Sequence, residues 1–186
     1  MKNKKTILIP GWMNGAGMYK CGGNFYNVLE IWKERLVKKN ISTGYIIAHS
    51  LGCNWALRNL EGSKNNKFIL VNPLLPKRKI KKWFRSWIEF YRKETLPKNK
   101  DVISGFGNWI FGMKECWKLL RYDFDEILEN IPKENIVVIC GKKDVFYCDK
   151  KMKEYVRSKN IELMEIENVG HDWCREFYRE IEKIIQ

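Results

Sequence analysis

The sequence predicts an α/β fold built on a parallel sheet of about five strands with helices on both faces. Three observations lead there. Short, continuous apolar runs alternate with stretches of helical periodicity along the 186 residues, as expected of strands covered on both sides. Each run stops abruptly at Pro, Gly, Asn or a polar residue, the usual strand-to-loop punctuation. Hydrophobic residues make up 45% and aromatics 13% of the chain, enough for a core and enough to exclude wholesale disorder. The length suits one domain, residues 1–186.

The elements follow in order. Residues 6–10 (TILIP) read as a buried strand ended by Pro10-Gly11. Residues 25–39 read as a helix, with Phe25, Val28, Leu29, Trp32 and Leu36 on one face. Residues 45–49 form a second strand that runs at once into a helix over 51–60. Residues 67–72 (KFILVN) form a third strand, stopped by Pro73. After a long intervening segment, residues 136–140 (IVVIC) form a fourth strand with a helix near 150–158 behind it. Residues 161–166 form a fifth strand, and 173–185 a closing helix. Only residues 40–44 separate the first helix from the second strand, so an additional strand–helix unit there is expected to be missing.

Charge and cysteine usage bound the partners. The formal charge is +13, from 35 Lys+Arg against 22 Asp+Glu, which suits nucleic acid, an anionic membrane surface or an acidic protein. The six cysteines form no CxxC pair and only two histidines accompany them, so neither a structural zinc site nor any other metal or cofactor is expected. MKNKK resembles a signal n-region, but the TILIP run behind it is too short for a secretory core. With free thiols, the expected compartment is a reducing cytoplasm.

The second strand leads into Ala48-His49-Ser50-Leu51-Gly52 and then a helix. A strand–Ser–helix turn lifts the hydroxyl above the sheet edge and aims the next N–H at the same spot, the arrangement of a nucleophile elbow. Small residues at 48 and 52 let helix and strand approach. A hydroxyl at its ordinary pKa needs a base. His171, in Asn168-Val169-Gly170-His171, follows the fifth strand and therefore reaches the same sheet edge. Asp144, just past the fourth strand in Gly141-Lys142-Lys143-Asp144, is the carboxylate suited to orient that imidazole. Asp149 and Asp172 are the alternatives, with Asp149 also placed to cap the following helix. The loop Pro10-Gly11-Trp12-Met13-Asn14-Gly15 follows the first strand. It lacks a phosphate-loop pattern and offers the Trp12 N–H as an oxyanion donor beside that of Leu51. His49 reads as structural, facing away from the serine.

The ordered set of strand–PGW loop, strand–AHSLG–helix, strand–GKKD and strand–VGHD–helix resembles the α/β-hydrolase superfamily across nearly the whole chain, in a reduced form. The resemblance implies a Ser50–His171–Asp144 triad with Leu51 and Trp12 as oxyanion donors, acting without metal or cofactor. In that family an insertion between the third and fourth strands is a cap, which here is residues 77–130.

The insertion is chemically distinct. Residues 77–100 hold ten Lys/Arg and two Glu. Ile80, Trp83, Phe84, Trp87, Ile88 and Tyr91 fall on one helical stripe, with Lys79, Lys82 and Arg85 off it. Residues 106–112 (FGNWIFG) are expected to break this helix from later helical stretches. Met13, Trp83, Trp87 and Trp109 are the candidate lining of a substrate pocket. Gly11-Trp12 and the basic insertion are loosely similar to pimeloyl-acyl-carrier-protein methyl ester esterases. That likeness implies an acidic acyl carrier protein docking on Lys77, Arg78, Lys81, Lys82 and Arg85. Small YdeN-type serine hydrolases are an equally good comparison, and a basic helix with Trp also suits an anionic membrane surface.

The expected function is therefore that of a serine hydrolase of carboxylic esters or thioesters. The alternative is a catalytically silent hydrolase fold that binds membrane or nucleic acid through a basic aromatic cap. Acyl transfer and amide hydrolysis are further reactions open to the same triad.

Overall fold

A computed structural model describes residues 6–12, 14–19, 27–29, 31–32, 44–60, 66–90, 92 and 106–186, excepting the side chains of 106–111. Its strands are β1 (Thr6–Ile9), β2 (Asn27–Val28), β3 (Tyr45–His49), β4 (Lys67–Val71), β5 (Ile136–Gly141) and β6 (Glu162–Ile166). They form one sheet in the order β2-β1-β3-β4-β5-β6, parallel at every pairing. The helices are α1 (Leu51–Leu60), α2 (Ile80–Phe90), α3 (Phe106–Arg121), α4 (Asp125–Asn130), α5 (Lys150–Ser158) and α6 (Arg175–Ile185).

Successive side chains of a strand point to opposite faces, and the core divides accordingly. Ile7, Ile9, Ile46, Ala48, Phe68, Leu70, Ile136 and Val138 face a cluster completed by Leu57 of α1, Trp83 of α2, Leu119 of α3, Leu128 of α4 and Val156 of α5. Leu8, Ile47, Ile69, Val71, Val137 and Ile139 face the other side, where Phe177 and Ile181 of α6 cover them with Trp173 and Tyr19. Most of β3, β4 and β5 is buried, which is why these runs lack polar alternation.

Three sequence expectations change. Residues 27–28 form a short edge strand paired to Ile7 and Leu8, not part of a helix, and the rest of 25–39 is described only at 29, 31 and 32. The sheet thus has six strands, and the unit expected to be missing contributes a strand of two residues. Residues 106–112 do not interrupt helical structure but open α3. Each internal Gly costs about 1 kcal/mol of helix propensity, and the burial of Cys116, Leu119 and Leu120 further along offsets it. Phe84, assigned to the apolar stripe of α2, is 49% exposed. Trp83 is the one α2 side chain fully buried, while Trp87 and Phe90 pack partly buried against the core. Tyr91 lies outside the described residues.

Among the described residues no helix is long and apolar enough to cross a membrane. Because every strand runs the same way, the loops after β1, β3, β4, β5 and β6 gather at one edge of the sheet, where open α/β sheets build their sites.

Candidate active site

Ser50 occupies the turn between β3 and α1 with a φ of 54°, in the left-handed region that an L-residue adopts only at some strain. Its N–H donates to the Val71 carbonyl at 2.8 Å, which extends the β3–β4 ladder by one bond and pins the elbow. Gly52 is required by space, since α1 crosses directly over the end of β1 and a side chain there would meet the backbone of Ile9 and Pro10. Leu51 opens α1, and the first N–H groups of a helix have no intrahelical acceptor.

The three distant residues meet. Ser50 Oγ and His171 Nε2 are 2.8 Å apart, and His171 Nδ1 and Asp144 Oδ2 are 2.7 Å apart. With the imidazole neutral, Nδ1–H donates to the carboxylate and Nε2 accepts from the serine hydroxyl. All three are buried: Ser50 is 7%, His171 3% and Asp144 2% exposed. The second carboxylate oxygen of Asp144 accepts from the N–H groups of Phe146 at 2.8 Å and Tyr147 at 3.1 Å. Burial opposes the charge on Asp144, but His171 and these two amides outweigh it and hold the carboxyl below the ordinary carboxylate range. Asp149 instead caps α5, accepting from the Met152 N–H, and the Asp172 carboxylate is not the one bonded to Nδ1.

The loops carrying Asp144 and His171 are locked by Asn72, which the sequence reading did not single out, and by His49, which it read as structural. Asn72, with a φ of 48°, follows β4 and is fully buried. Its amide nitrogen donates to the carbonyls of Gly170 at 3.1 Å and His171 at 2.9 Å. Its oxygen accepts from the Gly141 N–H at 3.0 Å and the Cys148 thiol at 3.2 Å. His49 lies beneath His171, with Nε2 at 2.9 Å from the His171 carbonyl and Nδ1 at 2.9 Å from the Tyr19 hydroxyl. Both residues are polar side chains at the ends of buried apolar strands, which is the signal that marks them.

The β1 loop touches the serine. A β-carbon on Gly11 would stand 3.1 Å from Ser50 Cβ and 3.0 Å from His49 Nδ1, so Gly11 is present for close approach. Trp12 follows it, and its ring packs against Trp83 at 6.1 Å and Trp87 at 5.5 Å. Phe90, Phe146 and Tyr147 stand edge-on to His171 at 5.0, 5.2 and 4.8 Å. Two side chains fasten α2 and its approach to the loop that follows Asp144. Trp83 donates to the Tyr147 hydroxyl at 3.0 Å, and Arg78 to the Tyr147 carbonyl and Asp149 at 2.7 and 2.8 Å. Arg78, placed from sequence among outward-facing docking residues, thus turns its guanidinium inward, whereas Lys77, Lys81, Lys82 and Arg85 are exposed. Met13 and the side chain of Trp109 lie outside the described residues.

No cluster of three His, Cys, Asp or Glu able to hold a metal occurs among the described residues. Burial pushes the Cys53 and Cys148 thiols up and the Cys116 thiol to about 12, which disfavours the thiolate at these three positions.

No protein-family model matches the chain, and no curated protein shows significant sequence similarity to it. Solved structures do match in shape. A carboxylesterase of the thaumarchaeon Nitrososphaera gargenis superposes with a TM-score of 0.60 at 12% identity, over 98% of this chain and 90% of that one. The naproxen esterase of Bacillus subtilis gives 0.59 at 14% identity, over 100% and 85%. The ydeN gene product of B. subtilis gives 0.52 at 14%, over 99% and 100%. The chain has the α/β-hydrolase fold.

Proposed function

We propose that this protein is a serine hydrolase of carboxylic esters or thioesters. The observation that carries the reading is the unbroken line Ser50 Oγ–His171 Nε2 and His171 Nδ1–Asp144 Oδ2, at 2.8 and 2.7 Å, built from the ends of three strands. Ser50 attacks the acyl carbonyl while His171 takes the hydroxyl proton. Asp144 keeps the imidazole in the Nδ1–H form and stabilises the imidazolium. The N–H groups of Leu51 and Trp12 receive the oxyanion, a contribution of about 3 kcal/mol per donor in such sites. His171 returns the proton to the leaving oxygen or sulfur, and a water activated by the same imidazole releases the acid and restores Ser50.

Residues 77–130 act as the cap. The Trp83, Trp87 and Phe90 side of α2 lies toward the site, so the acyl group this arrangement favours is apolar. The exposed Lys77, Lys81, Lys82 and Arg85 form a basic rim suited to an acidic acyl carrier protein that delivers the ester.

A fluorophosphonate probe should label the wild type at Ser50 and leave Ser50→Ala unlabelled, with turnover of a p-nitrophenyl ester panel lost in the same variant. Equal labelling of both overturns the reading. Neutralising Lys77, Lys81, Lys82 and Arg85 together should slow carrier-linked esters while leaving p-nitrophenyl esters unaffected. Unchanged carrier-linked turnover removes the docking step.

A further inference from the structure

A second set of buried groups spans the site from below. The Gly11 N–H donates to the Tyr19 hydroxyl at 2.7 Å, that hydroxyl lies 2.9 Å from His49 Nδ1, and His49 Nε2 lies 2.9 Å from the His171 carbonyl. The proton positions are determined by what each atom can do. A carbonyl only accepts, so His49 Nε2 carries the hydrogen and donates to His171. A neutral imidazole then has Nδ1 as acceptor, so the Tyr19 hydroxyl donates to it. The Tyr19 oxygen accepts from Gly11 and from the Asn14 amide at 3.2 Å. Tyr19 is 4% and His49 1% exposed. Trp173 packs against both rings at 5.0 and 5.7 Å.

The two ends of this chain of bonds matter. Gly11 immediately precedes Trp12, whose amide is an oxyanion donor under the reading above, and the His171 carbonyl belongs to the backbone that aims the base. Donor loop and base are separated by residues 13–170 in sequence and share no strand pairing. Tyr19 and His49 join them directly. We propose that Tyr19 and His49 are positioning residues that tie the oxyanion loop to the general base, keeping the two in register about Ser50. The proposal rests on the serine-hydrolase reading and adds to it a pair of residues that touch no reacting atom. Asn72 holds the same His171 carbonyl from the neighbouring strand, so the carbonyl has two donors. Only the His49 arm continues to the oxyanion loop.

Tyr19→Phe tests this with the loss of one oxygen, keeping the ring against Trp173. On p-nitrophenyl butyrate, kcat should fall about ten- to a hundredfold, the scale of small misplacements in catalytic geometry, with KM within about twofold. The inhibition constant of an alkyl trifluoromethyl ketone, which forms an oxyanion on Ser50, should rise by the factor by which kcat/KM falls. A purely structural role would lower the melting temperature without moving that ratio. His49→Gln keeps an N–H for the His171 carbonyl but breaks the link to Tyr19; it should show a smaller loss with the same correlation. If Tyr19→Phe fails to fold, His49→Gln is judged by the same two measurements. Wild-type kcat/KM in the variant, or lost turnover with unchanged ketone affinity, overturns the proposal. Fluorophosphonate labelling separates the two levels. A wild type unlabelled at Ser50 sinks the hydrolase reading and this proposal with it. A labelled wild type beside an unimpaired Tyr19→Phe sinks the proposal alone.

Discussion

A β-carbon on Gly52 would stand 2.4 Å from the Pro10 carbonyl oxygen. That single approach sets the height of α1 over β1 and so the depth at which Ser50 sits. Both partners are backbone, so no side chain can swing away to make room. Gly52→Ala should therefore destabilise the fold by about 1–3 kcal/mol, the usual range for overpacking, and reduce fluorophosphonate labelling at Ser50. A chemical denaturation midpoint equal to wild type, with labelling intact, would show that α1 is not held at this height.

Asp144 makes three hydrogen bonds with its two oxygens. Asp144→Asn preserves shape but presents an amide that no longer favours the Nδ1–H form of His171. The expected result is a fall in kcat of about three to four orders of magnitude, with the melting temperature close to wild type. A loss smaller than about tenfold would show that Asp144 does not orient the base.

Asn72 joins the carbonyls of Gly170 and His171 to the Gly141 N–H. Asn72→Ala removes this partner from the Gly170 carbonyl and the Gly141 N–H, while the His171 carbonyl keeps its His49 donor, and should cost about 2–6 kcal/mol of stability, at about 1–3 kcal/mol for each of the two groups. Urea denaturation provides the measurement; a change below about 0.5 kcal/mol would mean that other groups or water replace the amide.

Burial first, and then the nearby His171, pull the His49 pKa down to about 3. In the unfolded chain the same imidazole titrates near 6.5. Between these values the unfolded state binds a proton that the native state refuses, so stability falls as the pH drops through this window. The slope from this residue approaches about 1.4 kcal/mol per pH unit. Asp144 acts in the same direction lower down: its depressed carboxyl contributes stability above about pH 4, lost as the pH falls through its folded value. Unfolding free energies measured from pH 6 to pH 4 should show a shallower slope for His49→Gln than for wild type. Parallel slopes would place the His49 ring in contact with solvent.

Much of this architecture is readable from the residues. Buried parallel strands are continuous apolar runs, so β1, β3, β4 and β5 stand out, and each ends on the residue pattern that carries the site. Ser50, Asp144 and His171 are recognisable because their neighbours are unusual: Gly52 for helix approach, and Gly141, where an added β-carbon would meet the Gly170 carbonyl oxygen at 2.4 Å. The two-residue β2 escapes detection because it is too short to show a period. Tyr19 and Asn72 escape because their partners lie far away in sequence, at His49 in one case and at Gly141, Gly170 and His171 in the other. The stripe of α2 is legible in its inward members, Trp83 and Trp87, whereas Phe84 lies where periodicity alone cannot separate stripe from surface.

The sheet order carries a consequence for how the protein matures. Ser50 lies on the early half of the chain, but Asp144 and His171 both follow β5, which docks on β4 only after residues 72–135 have been looped out. Closing so large a loop is an entropic step that local contacts cannot reward in advance. The turn at Ser50 needs no contact beyond β4, whereas Asp144 and His171 reach it only once β5 has paired with β4, so under the serine-hydrolase reading regained reactivity toward fluorophosphonate during refolding is expected to follow that pairing, the longest in sequence separation among the described strands.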